Sequence, residues 1–516
     1  MRTLIILTVM VFLMLPITAL AIQVSGDQWG TWTPDNNPYN VVGEIHVPGE
    51  STLVIAPGVI VNFRGHYKFV VDSLATLQAI GAVNDSICFA TTDTATGWDG
   101  IRFLYANDNS QISYCHLAYG KTIGIGNGGA IYCYNSSPTI SHNTIRNNSP
   151  GAIYCKNHNG VIEYNNICDN TGAGYGGGIL CDGTGPWIRY NTIRRNSSSR
   201  GGAGIFCYRN TIIEGNIIEN NYTERRAIGV GIHVSYLDNV IKNNTICYNE
   251  CDYGGYGGGI STDHYGAIIT GNYIYRNSAG DINDGSLGGG IYGNPLILEN
   301  NTIANNHAAG LDGIYFFSAS NTTISNCIIR DDFGGSFDIT VEYSNIVGNW
   351  PGVGNINEDP LFVNPHPIHG DYTLSIESPC IDAGDPESEV PEHGGDRIDM
   401  GAFEFFQRFN GFLLFEEYPE IAETGSVISW EVTLENPTPD PQTIDGWIDF
   451  SGPFSGTAIK DLNKTLQPGI WTDTVEFLIP EDVPVGIYTV KGRVGIYNEA
   501  IWDSEVFDIE IIPGTL

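Results

Sequence analysis

Asp263 and His264 are chain neighbours, and His233 lies upstream of them. An imidazole within hydrogen-bond reach of a carboxylate can take and return a proton, so these three residues form a candidate acid/base cluster. The competing reading is that Asp263 simply accepts a hydrogen bond from His264 or from a turn amide. A second constellation is Lys156 with Asp182. A lyase needs a base beside a neutralised carboxylate, but an ordinary surface ion pair uses the same two residues. A third is the run of aromatics Tyr132, Tyr134, Tyr154, Tyr208, Tyr292 and Tyr315. Flat rings interspersed with polar groups suit sugar rings, and an exposed aromatic patch marks an interaction site; the competing reading is that a loop or the C-terminal domain covers this face. Asp281, Asn283 and Asp284 before Gly285 resemble the start of a calcium loop, although Tyr292 stands where the loop's closing Glu belongs.

These residues need a scaffold, and the sequence supplies one by repetition. Aliphatic-x-x-Asn-x-Ile-x-x-Asn recurs with its first Asn at 143, 165, 191, 216, 244, 272 and 301. Its second Asn falls at 148, 170, 196, 221, 249, 277 and 306. Between these units runs a Gly-rich stretch ending in Ile-x-Cys, as in Gly128–Cys133, Gly176–Cys181 and Gly202–Cys207. Alternation at period two sends Ile131, Ile153, Ile179, Ile205, Ile232, Ile260 and Ile291 to one side. A coil of this length cannot bury its apolar face alone, but coils stacked at roughly 4.8 Å bury a continuous column. Asn suits the turns because it tolerates left-handed dihedrals and can bond its counterpart in the next coil. Cys133, Cys155, Cys181 and Cys207 should point inward as a column of buried thiols. Cys247 and Cys251 are near enough to pair, though nothing demands it. The Asn-x-Ser/Thr triplets at Asn135, Asn221, Asn243 and Asn321 follow from the Asn-rich repeat itself.

Together with Val41–Ile45, Thr52–Val59 and Gly97–Ile101, this pattern resembles the right-handed parallel β-helix repeat proteins, the superfamily that includes the pectate lyases. The resemblance implies an all-β chain: a right-handed parallel β-helix solenoid followed by a small β-sandwich. It implies that polysaccharide lies along an aromatic sheet face. Neither the calcium and arginine motifs of pectate lyases nor the Gly-His-Gly of polygalacturonases occurs here. The resemblance therefore carries the fold and leaves catalysis open. With coils stacked, Asp182 and Asp263 are three coils and roughly 14 Å apart. A glycosidase pair needs about 5–9.5 Å, so these two fail as such a pair.

The ends and the composition complete the expectations. Arg2, the apolar run Leu4–Leu15 and Ala19-Leu20-Ala21 read as a secretory signal peptide over 1–21. The β-helix with an N-terminal cap is expected over 22–350, a C-terminal cap over 351–407 and an immunoglobulin-like β-sandwich over 408–516. The cap carries Asp382, Asp385, Glu387, Glu389, Glu392, Asp396 and Asp399, where calcium could bind but a solvated acidic loop also fits. The chain has 58 Asp and Glu against 23 Lys and Arg, which disfavours nucleic acid and anionic membranes as partners. The expected protein is secreted, extracellular or at the cell surface, without membrane insertion, and binds polysaccharide or a cell-surface glycan. Its alternatives are a carbohydrate lyase or glycoside hydrolase, and a structural or adhesive surface protein.

Overall fold

A computed structural model shows how the repeats assemble. It describes residues 22–513 except 124–127, 237, 264–265, 281–284, 365–370, 376, 392–394, 396, 406–412, 417–420, 437–441, 453–455, 468, 481–482 and 497–499. Residues 1–21, expected from sequence to be a signal peptide, lie outside the described residues.

Residues 22–346 wind into a parallel solenoid with three faces. In one coil, Ile131–Tyr134 lies on the first face, Thr139–Ser141 on the second and Thr144–Arg146 on the third. Each pairs in parallel with its counterpart in the next coil: Ile153–Lys156, Val161–Glu163 and Asn166–Cys168. The expected N-terminal cap is already part of the coil, because Ile22–Asp27 pairs in parallel with Tyr39–Val47.

The alternation works as expected. Ile131, Ile153, Ile179, Ile205, Ile232, Ile260 and Ile291 are buried in one continuous core. Cys133, Cys155, Cys181 and Cys207 are register partners inside it. All eleven cysteines stand as free thiols, Cys247 and Cys251 included. Burial raises the Cys133 and Cys181 thiols well above their ordinary value, so they pack as neutral apolar groups.

Both Asn rows form buried ladders at the coil corners. Asn191 Oδ1 accepts from the backbone N–H and the side-chain amide of Asn165, both at 2.9 Å. Its own amide donates to Ile162 O at 2.8 Å and to Asn216 Oδ1 at 3.0 Å. Asn221, nominally a glycosylation triplet, is such a ladder residue and fully buried. One expectation is corrected: the left-handed residue is the one before each ladder Asn. His142, Tyr164 and Tyr190 take φ values of 56°, 54° and 54° before the first ladder. Asn147, Asp169 and Arg195 do so before the second. The ladder position selects for an amide with its donors and acceptor satisfied, and the strained position tolerates several residue types because two ladders hold it in place. The Gly-rich approach to the first face has a steric cause. A Cβ on Gly204 would sit 2.5 Å from Gly231 O of the next coil.

After Asn345–Ile346 the chain folds back over the third face. The backbone N–H of Tyr372 donates to the Tyr273 hydroxyl at 2.6 Å, and the Ala402 N–H donates to Thr302 Oγ1 at 3.0 Å. In this cap Asp399 accepts the N–H of Asp382 at 2.7 Å, and Glu404 accepts the N–H of Asp399 at 2.9 Å. Burial, reinforced by the neighbouring carboxylates, pushes Asp399 up to about 8 and Glu404 up to about 7. The remaining strands form a small β-sandwich. One sheet holds Leu413–Glu416, Val427–Asn436 and Gly469–Leu478; the other holds Ile421–Glu423, Gln442–Ser451, Gly456–Leu466, Gly486–Ile496 and Ala500–Ile512. Trp430, Ile448 and Val490 lie in its separate core.

Candidate functional site

The first face presents two outward columns. Register pairing aligns Arg102, Tyr132, Tyr154, Leu180, Phe206, His233, Ser261, Tyr292 and Tyr315 in one of them. Tyr134, Lys156 and Asp182 align beside it, with Tyr208 following in the next coil. The seven coil steps from Tyr132 to Tyr315 span roughly 34 Å at the usual strand spacing.

The rings pack on one another. Tyr132 and Tyr154 have centroids 5.2 Å apart, and Tyr292 and Tyr315 stack at 5.6 Å with planes 6° apart. They therefore offer edges and hydroxyls in place of the flat platform expected from sequence. Burial raises the Tyr132, Tyr154, Tyr208 and Tyr292 phenols, so all four remain protonated donors near neutral pH. Tyr154 donates to Asp182 at 3.3 Å, and Lys156 Nζ is 3.7 Å from the same carboxylate.

Towards the middle of the face, His233 Nε2 is 2.8 Å from Ser235 Oγ and 3.3 Å from Asp263. Ser235 donates to Asp263 at 2.8 Å. The His233 side chain is 1% exposed and that of Asp263 36%, so Asp263 is the member of this cluster that meets solvent. His233 stacks on Phe206 at 4.6 Å. His264, the third expected catalytic residue, lies outside the described residues, as do Asp281, Asn283 and Asp284 of the calcium-loop reading.

Sequence reasoning missed Arg102. Its guanidinium is 3.0 Å from Asp99, donates to Gly128 O at 2.6 Å and lies 5.9 Å from the Tyr132 ring centre. Only the register of Ile101 with Ile131 reveals that it heads the aromatic column. The Gly-rich loops add Tyr175 against Phe206 and Tyr256 against Tyr292.

Cys133, Cys155 and His158 bring potential metal-ligand atoms within 4.8 Å of one another. They fit a metal poorly. His158 Nδ1 accepts the Gly160 N–H at 3.1 Å, which leaves the proton on Nε2 to donate to Pro138 O at 3.1 Å. Both ring nitrogens are therefore occupied within the fold.

The C-terminal segments meet the solenoid on its third face. Asp371 pairs with Lys491 of the sandwich, and Arg493 is 3.2 Å from Asp449. These residues line a cleft of about 140 Å³ with Glu219, Tyr273 and Tyr275. No helix among the described residues is long and apolar enough to cross a membrane.

No curated protein matches the sequence. Among solved structures, a CARDB domain from Pyrococcus furiosus aligns at 12% identity over 20% of this chain and 92% of its own, with a TM-score of 0.16. A β-glucosidase from Listeria innocua in complex with glucose aligns at 21% identity over 20% of this chain and 16% of its own, also at 0.16. Residues 94–246 and 225–350 match the family described as right handed beta helix region. Through residues 94–350, the chain belongs to the right-handed β-helix family.

Proposed function

We propose that this is an exported protein that binds polysaccharide along the first face of its solenoid. The observation that supports this reading is the set of half-buried tyrosines on the first face, Tyr132, Tyr134, Tyr154 and Tyr208 towards one end and Tyr292 and Tyr315 towards the other, separated in the outward column by buried Phe206, His233 and Ser261, on a face other than the one where the sandwich docks. Partly exposed aromatics beside hydrogen-bonding groups suit a hydroxyl-rich polymer. Joint replacement of Tyr132, Tyr154 and Tyr208 by Ala should abolish retardation in polysaccharide-containing gels. Unchanged retardation of a folded variant would overturn the reading.

A second reading rests on the hydrogen-bonded set His233, Ser235 and Asp263. Asp263 would exchange a proton with a sugar hydroxyl or water, and buried His233 would act through it as a positioning residue. This is the lyase or hydrolase alternative. It predicts product from one glycan, followed as unsaturated ends or reducing ends, and loss of turnover in Asp263→Asn with binding retained.

A further inference from the structure

Resting on the polysaccharide-binding reading, we infer that the first face takes a neutral polysaccharide in preference to a polyuronate. The argument is charge complementarity. Arg102 is held by Asp99, Lys68 stands 3.7 Å from Glu44 and 3.9 Å from Asp99, and Lys156 stands 3.7 Å from Asp182. These cations beside the aromatic column are thus already matched by neighbouring carboxylates. Arg200 and Arg209 flank it, with their guanidiniums over the Tyr175 and Tyr236 rings.

The carboxylates also reach solvent. Asp263, which accepts a hydrogen bond from the Ser235 hydroxyl, shows 36% of its side chain, and Asp182 shows 37% of its own although Lys156 stands 3.7 Å from it. A carboxylate accepts hydrogen bonds from sugar hydroxyls but repels a uronate placed against it. The phenols of Tyr132 and Tyr208 supply donors that need no charge on the ligand, while that of Tyr154 donates to Asp182. The formal charge of −35 adds a repulsive background for any polyanion.

Affinity electrophoresis of the mature chain tests this, with xylan, mannan and mixed-linkage glucan as neutral probes and polygalacturonate and alginate as acidic ones. Each gel is run at low and high salt, with calcium and with chelator. At least one neutral polymer should retard the protein about tenfold more strongly than either uronate, with little salt dependence. Asp182→Asn with Asp263→Asn should narrow that preference. Stronger retardation by a uronate, in calcium or without it, would overturn the neutral-glycan inference and leave polysaccharide binding standing. No retardation by any probe, with the fold intact by circular dichroism, would overturn both.

Discussion

Two lysine–aspartate pairs show how differently the faces of one solenoid can be used. Lys156 and Asp182 face each other on the first face with 41% and 37% of their side chains exposed. Lys491 and Asp371 meet between the sandwich and the cap on the third face with 13% and 4% exposed. Burial pulls the Lys491 ammonium down to about 8 against the attraction of Asp371. Burial would raise Asp371, but Lys491 and Arg493 outweigh it and hold that carboxyl well below the usual range. The same residue types therefore form a solvent-accessible polar spot in one place and a buried joint in the other.

Four measurements probe this contrast. Lys491→Ala should have the largest effect, about 3 kcal/mol or more, because it strips a buried carboxylate of its nearest cation. Limited proteolysis should then release the sandwich while first-face binding is retained. Asn191→Ala removes an amide at the corner between the second and third faces and leaves ladder groups unpaired, costing about 2–3 kcal/mol in denaturant unfolding.

The cap gives a pH signature. Asp399 and Glu404 have raised values, so the folded cap binds protons more tightly than the unfolded chain. Its stability is fully present below about pH 4 and is lost as pH rises through about 7 for Glu404 and about 8 for Asp399. Thermal melting across that window should show the decline, and Asp399→Asn should flatten it. Lys156→Ala should be smallest, changing stability by less than about 1 kcal/mol because the pair is open to solvent.

The coil was legible because its signals are local and repeated. Ile131 and its successors alternate with outward-facing neighbours, and Asn143 and Asn148 recur with each coil. The ladder geometry was only half legible: spacing locates Asn165, but the left-handed turn falls on Tyr164. Site residues followed the same rule. Tyr132 and Tyr154 were found by repeat position, whereas Arg102 was missed because its coil lacks the Ile-x-Cys signature.

The solenoid, its inward cysteine column and its outward tyrosines follow from the residue pattern without further help, since period-two burial and coil stacking need only neighbours in the repeat. Which face is covered follows only from the assembled chain. Asp371 and Lys491 are 120 residues apart, and no local pattern encodes a contact between separately folded segments. Assembly also seals His233 behind Phe206 while Asp263 reaches solvent, because exposure depends on what the neighbouring coils and loops place over each side chain.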